Sequence, residues 1–222
     1  MDIGRQTRMS DITIIGTGNM ARGLASRAVA AGKSVQLLAH EDKAKAEALA
    51  SELGGTFTTG VVGDPIDGSI VIPAIYFDAA KKVATEYGDS LAGKVWVDIT
   101  NPVDFSTFDG LAVPAGTSAA EELQKATPAK VVKAFNTTFG GTLVSGSVSG
   151  QQLDVLIAGD DENAVKAVSE FASDASLNPV QVGPLRRAQQ LEQTGFLNIL
   201  LSANDSLPEY QWNSALKFLP AV

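Results

Sequence analysis

Six residues near the start of the chain, Gly16-Thr17-Gly18-Asn19-Met20-Ala21, limit what it can fold into more than any other stretch. They match the pattern G-x-G-x-x-G/A, in which each small residue has a geometric task. The first glycine permits a tight turn, the second lets a pyrophosphate approach the backbone, and Ala21 lets a helix pack closely on a strand. Free amides at a helix start, together with the helix dipole, favour an anion there. Alone the pattern is weak, because glycines also shape turns that bind nothing. Its setting gives it weight: it follows the β-branched run at residues 11–15 and opens an amphipathic stretch at residues 19–31, with Met20, Leu24 and Ala31 on one side and Gly32 as its stop.

Beyond that turn the chain alternates short β-branched runs with longer stretches of helical spacing, the pattern of parallel strands joined by crossover helices. Strands are predicted at residues 34–39, 56–59, 69–72, 94–99 and 130–135. Asp42 can cap a helix carrying Ala46, Leu49, Ala50 and Leu53 that stops at Gly54-Gly55. Another helix should end at Tyr87 before Gly88, and Ser118 with Glu121 forms a capping box for a short one. Residues 154–158, 161–173 and 179–182 add a strand-helix-strand unit, and a last helix covers residues 185–203. The expected fold is α/β, a Rossmann-type doubly wound and mostly parallel sheet with a small C-terminal helical extension. Its expected divisions are a polar N-terminal extension at 1–8, a dinucleotide-binding Rossmann domain at 9–150, and a strand-helix extension at 151–222 packed on the same sheet.

Composition narrows the chemistry. With 222 residues and 45% hydrophobic content the chain can bury one full core. It has no apolar run near the roughly 20 residues that span a bilayer and no secretory leader pattern, so a cytoplasmic protein without membrane contact is expected. The absence of cysteine excludes thiolate catalysis and sulfur-built zinc sites, and with His40 as the single histidine no metal centre is expected. A formal charge of −8 argues against a nucleic-acid partner, since binding a polyanion needs clustered Lys and Arg. An anionic cofactor must then be met by local donors.

The end of the second strand bears on the choice between NAD(H) and NADP(H). An acidic residue there accepts hydrogen bonds from the ribose hydroxyls of NAD, whereas donors or cations suit the 2′-phosphate of NADP. Here Ala39 and His40 fill the usual acidic spot, with Glu41, Asp42 and Lys43 following. Asp42 has a competing role as a helix cap, and His40 and Lys43 can swing toward a phosphate. This favours NADP(H) over NAD(H), although His40 and Lys43 also read simply as solvated surface residues.

The chain resembles the NADPH-dependent F420 reductase family, NADP oxidoreductases that exchange hydride with a deazaflavin coenzyme. The resemblance rests on Ile14-Ile15-Gly16-Thr17-Gly18-Asn19-Met20, Val71-Ile72-Pro73-Ala74, Val97-Asp98-Ile99-Thr100-Asn101-Pro102, Lys133-Ala134-Phe135-Asn136-Thr137, Gly159-Asp160-Asp161 and Leu197-Asn198-Ile199. No single segment is specific, and the Gly16 turn also resembles that of pyrroline-5-carboxylate reductases; the set is more specific than its parts. The resemblance implies Gly16, Thr17, Gly18, Asn19 and Met20 around the pyrophosphate and 2′-phosphate end, with the Thr17 hydroxyl on that phosphate. It implies Ile72, Pro73 and Ala74 beside the nicotinamide half, Asn101 and Pro102 at the same sheet edge, and Asn136 through Gly140 along the cleft. It further implies a homodimer, with the last helix or Trp212 and Phe218 near the contact. The chain departs from the family at Ala39-His40, where members commonly carry Ser-Arg, and at Asn136, where some have histidine.

Hydride transfer between stacked rings needs proximity and orientation more than acid-base chemistry. The residues expected to shape the cleft are Pro73, Ala74, Asn101, Asn136 and Thr137, and none is assigned a catalytic step. Three functions remain open: an NADP(H) oxidoreductase acting on a deazaflavin (F420) or flavin-like carrier, an NADPH-dependent reductase of small imines or carbonyls with Tyr76 as the one nameable proton donor, and a non-catalytic dinucleotide-binding redox sensor.

Overall fold

A computed structural model describes residues 10–221; the N-terminal extension expected at 1–8 lies outside the described residues. Eight of the ten strands form one sheet. They are β1 (Ile12–Ile15), β2 (Val35–Ala39), β3 (Phe57–Val61), β4 (Ile70–Pro73), β5 (Val95–Asp98), β6 (Lys130–Lys133), β9 (Asp154–Gly159) and β10 (Asn178–Gly183). Their order is β10-β9-β6-β5-β4-β1-β2-β3, with every pairing parallel except β6 with β9. The two remaining strands, β7 (Ser147–Val148) and β8 (Gln151–Gln152), make a small separate hairpin.

The helices are α1 (Asn19–Ala30), α2 (Lys43–Leu53), α3 (Phe77–Tyr87), α4 (Ala119–Ala126), α5 (Gly140–Ser145), α6 (Glu162–Asp174) and α7 (Ala188–Ser202). They cover both faces of the sheet. Because strand side chains alternate faces, Ile14, Leu37, Val97 and Val132 join the core beneath α1, α2 and α6. Their neighbours Ile15, Leu38, Trp96 and Val131 join a second core beneath α3 and α4. The fold is the doubly wound α/β architecture expected from the alternating pattern.

Local chemistry places the helix ends where the sequence predicts them. The Asp42 carboxylate accepts from the Ala44 amide at 3.1 Å, Ser118 Oγ from Glu121 N at 3.1 Å, and Asp161 from Ala164 N at 3.0 Å. The Glu121 side chain closes its box by accepting from the Ser118 hydroxyl at 2.8 Å.

Three details differ from expectation. The buried stripe of α1 runs through Ala21, Gly23, Leu24, Ala25 and Ala28 and leaves Met20 and Ala31 only half-buried. A Cβ at Gly23 would stand 2.5 Å from the Gly140 carbonyl oxygen, so α1 sits against α5, a helix too short and glycine-rich to show a period. The final helix begins as a 3-10 turn at Leu185–Arg187 before α7.

Candidate functional site

The sheet changes direction between β1 and β4: the chain winds outward from β1 through β2 to β3, then returns to place β4 on the other side of β1. In open α/β sheets the strand carboxyl ends beside such a switch make a crevice. Here a cleft of about 630 Å³ lies there, lined by the Gly16 turn, the ends of β4, β5 and β6, and parts of α7 and the C-terminal segment.

At one end of the cleft stand Gly18, Asn19 and Met20. Gly16 adopts φ +115°, open to glycine but strained for other residues, and a Cβ on it would lie 2.6 Å from the Ala74 carbonyl oxygen. The turn is thereby pressed against the chain leaving β4. Gly18, the N-cap of α1, is the opposite case: nothing lies within 4 Å of where its Cβ would be. No side chain caps this helix and its first turn holds no acidic residue, so its leading amides are left without a capping side chain. That combination leaves room for a phosphate group, room that a side chain at Gly18 would take up.

In the middle of the cleft Asn101 and Asn136 hold each other. Asn136 Nδ2 donates to Asn101 Oδ1 at 2.8 Å and to the Leu191 carbonyl at 2.8 Å, and Asn101 Nδ2 donates to the Asn136 carbonyl at 2.7 Å. Phe135, buried with φ +61°, makes the sharp bend that turns Asn136 out of β6. Both donors of the Asn136 amide are used while its Oδ1 has no partner, and Oγ1 of Thr100, which lines the same cleft, is also unpartnered. Buried polar atoms are nearly always paired, so these two mark where polar atoms of a ligand would be satisfied.

Of the residues the sequence singles out, Gly18, Asn19, Met20, Ala74, Asn101 and Asn136 line the cleft together. Pro73, Pro102, Thr137 and Gly140 are buried next to lining residues, and Ile72 is fully buried in the core with Ile14. Tyr76 stands at the mouth, three-quarters exposed, with its ring edge-on to Phe105 at 5.7 Å.

Much of the wall was not legible in the sequence. Phe105 and Phe108 come from the irregular segment after β5, with Phe108 edge-on to Phe196 of α7, and Phe139 meets Trp212 edge-on at 5.2 Å. These aromatics come from separate parts of the chain and show no shared spacing. Among the lining residues the Tyr76 phenol is the one titratable side chain.

Directly beneath the cleft lies a buried ionic cluster. Lys133, the last residue of β6, is paired in register with Asp98, the last residue of β5. Its ammonium donates to Asp98 Oδ2 at 2.8 Å, Glu192 Oε1 at 2.8 Å and the Thr100 carbonyl at 2.5 Å, which uses all three protons. Asp98 also accepts from the Thr100 amide at 2.9 Å. Glu192 of α7 accepts from the first amides of α4, Ala119 at 3.0 Å and Ala120 at 3.3 Å, where the helix dipole favours a negative charge. Burial pushes the Glu192 pKa up, as does Asp98, and the pull of Lys133 and the Ala119 amide only partly offsets this. A lysine ending a run of valines opposite an aspartate ending another was a signal the sequence carried; Glu192, on a distant helix, was not.

The turn after β2 is different in character. Ala39 is buried, His40 is exposed with Nδ1 3.5 Å from Glu41 Oε1, and Lys43 is exposed with Nζ 3.4 Å from Glu47. Asp42 is taken up as the cap of α2.

Residues 11–102 match the family model for NADP oxidoreductase, coenzyme F420-dependent. Over that span the chain is similar to this family. The span runs from β1 to the segment just after β5 and contains the Gly16 turn and Asn101. Metalloreductase STEAP3 of Rattus norvegicus is 32% identical over 182 residues, 82% of this chain and 35% of that protein, so the chain spans about a third of the length of this curated relative. Among solved structures, a hypothetical protein of Sinorhizobium meliloti is 27% identical with a TM-score of 0.71, covering 80% of this chain and 86% of that one. A proposed F420-dependent NADP-reductase of Arthrobacter sp. FB24 is similar with a TM-score of 0.79 over 95% of this chain and 100% of that one; at 24% identity it bears on the fold alone. Among the described residues no helix is long and apolar enough to cross a membrane, and no group of three or more His, Cys, Asp or Glu could hold a metal ion.

Proposed function

We propose that the chain is an NADP(H)-dependent oxidoreductase that exchanges hydride between the nicotinamide and a flat aromatic carrier, a deazaflavin of the F420 type or a flavin. The observation that carries this is the cleft lining, polar at three asparagines, two threonines and the Tyr76 phenol, aliphatic and aromatic elsewhere, and without a carboxylate, imidazole or ammonium. A reaction that protonates an alkoxide or amide anion needs a positioned acid, whereas hydride exchange between conjugated rings needs them held close and shielded from water.

In this reading the amides of Asn19 and Met20, with the open space at Gly18, take the pyrophosphate, and Thr17, His40 and Lys43 face the 2′-phosphate. Ala74, Asn101 and Asn136 flank the nicotinamide, with Pro73, Pro102, Thr137 and Gly140 setting the backbone behind them and Ile72 fixing β4 in the sheet. The unpartnered Asn136 Oδ1 and Thr100 Oγ1 suit the carboxamide of that ring. A bound nicotinamide supplies the hydride; the protein supplies orientation and a dry wall. A homodimer through the exposed Leu197 and Leu200 of α7 and Phe218, a division of the chain near residue 150, and a cytoplasmic setting belong to the same proposal.

One observation favours a second reading. The Tyr76 hydroxyl at the mouth could protonate a reduced imine or carbonyl. The test is NADPH oxidation, followed at the nicotinamide absorbance band, with deazaflavin, FMN and a panel of cyclic imines and ketones, for the wild type and Tyr76→Phe. Carrier reduction that survives Tyr76→Phe is the expected result. Turnover of imines or ketones alone, lost in Tyr76→Phe, would replace the first reading with the second, and tight NADPH binding without oxidation by any acceptor would leave a redox sensor.

A further inference from the structure

After α7 the chain does not leave the molecule but crosses the cleft as a strap. Near its start, Ser202 Oγ donates to the Tyr210 carbonyl at 2.9 Å and lies 3.5 Å from Ser214 Oγ. At its far end Lys217 forms an ion pair with Asp154, its ammonium also donates to the Gln152 carbonyl at 3.0 Å, and the Phe218 amide donates to Asp154 Oδ2 at 2.9 Å. Asp154 is buried at the first position of β9 and accepts a further bond from Asn178 at 2.7 Å. Burial works to raise its pKa, but the hydrogen bonds from Asn178, Lys217 and the Phe218 amide outweigh that and hold it below the usual carboxylate value. The strap is fastened on both sides of Trp212.

Trp212 is the strap's contribution to the cleft. Its ring stands edge-on to Phe139 and is half exposed, while Gly141 lies under the strap with Trp212 O 3.9 Å and Asn213 Oδ1 3.5 Å from where a Cβ would be. A half-exposed indole at a cleft rim offers ring surface on which a flat group can stack. Tyr76 and Phe105 form a second edge-on pair lining the same cleft. The cofactor's pyrophosphate end has its own donors in the turn, so this aromatic surface is available to the second substrate.

We propose that Trp212 is a specificity-determining residue for the second substrate, the wall on which a flat aromatic acceptor stacks, held in place by the Asp154–Lys217 fastening. This rests on the NADP(H) reading above. It predicts that Trp212 contributes to acceptor binding and not to cofactor binding, and that loosening the far end of the strap weakens acceptor binding while the indole remains present.

The chain has two tryptophans, and Trp96 is fully buried in the core, so acrylamide quenching of fluorescence reports Trp212, and Trp212→Phe should abolish the quenchable fraction. The measurements are NADP+ affinity by calorimetry, acrylamide quenching with NADP+ alone and with NADP+ plus FMN, and the KM for FMN with NADPH. FMN should protect Trp212 in the ternary mixture. Trp212→Ala should raise the KM for FMN about tenfold and leave NADP+ affinity within about twofold, with Trp212→Phe recovering much of the loss. Lys217→Ala should move KM in the same direction and make Trp212 more quenchable. Loss of NADP+ affinity in Trp212→Ala matching the rise in acceptor KM would overturn the proposal, as would NADP+ binding with no protection by FMN or an unchanged KM. Absence of NADP+ binding in the wild type would instead refute the underlying functional reading.

Discussion

The cleft and the ionic cluster beneath it are made by the same two strand ends and are opposite in character. Asp98 and Lys133 end β5 and β6 with their charges buried and mutually compensated, and three residues further on Asn101 and Asn136 face the cleft with none. The buried charges form a closed set in which the ammonium has no proton left to give. The cleft side leaves Thr100 Oγ1 and Asn136 Oδ1 buried without a hydrogen-bond partner. The lesson is one of placement: charge is used where it can be fully paired and tie the sheet to α4 and α7, and is kept away from the surface that would receive a ligand. Breaking one member of a buried pair costs far more than the pair contributes, because the remaining charge stays buried.

The largest effect expected from this contrast comes from Lys133→Met, which leaves Asp98 and Glu192 without their shared cation. It should cost about 3–5 kcal/mol of stability in urea melts. A loss below about 1 kcal/mol would mean the two carboxylates are not held as a charged set.

A smaller effect should come with pH. The Glu192 pKa is raised above its ordinary 4.5 by burial first and by Asp98 second, so the folded state binds more protons than the unfolded chain just above that value. Its contribution to stability is present below 4.5 and is lost as pH rises through the folded pKa. Melts of wild type and Glu192→Gln across that window should show the wild type losing ground to the variant as pH rises; a flat difference would contradict the assignment.

The smallest effect on the fold should come from the exposed charges after β2, since screened surface pairs contribute little. His40→Ala with Lys43→Ala should shift stability by under about 0.5 kcal/mol while weakening NADPH more than NADH in direct binding. Equal small losses for both cofactors would remove His40 and Lys43 from the 2′-phosphate site.

The architecture was legible because it rests on local rules. Alternating side chains in β1, β2 and β4, capping by Asp42, Ser118 and Asp161, and the Gly16 turn are all short-range features. The site was legible only in part. The glycine turn, Ala74, Asn101 and Asn136 fall at strand ends, which the strand pattern locates. Phe105, Phe139 and Trp212 carry no period, and α5 is too short to announce itself.

By itself, then, the sequence determined the Gly16 turn, the alternating strands and helices, and a chemistry without thiols, because these depend on residue type and spacing within a few positions. The tertiary structure alone decided that Glu192 would reach Lys133 across 59 residues, that β9 would run antiparallel to β6, and that Trp212 would stand over Phe139. Those contacts join segments far apart in the chain, and their geometry follows from how whole elements pack, which no local pattern encodes.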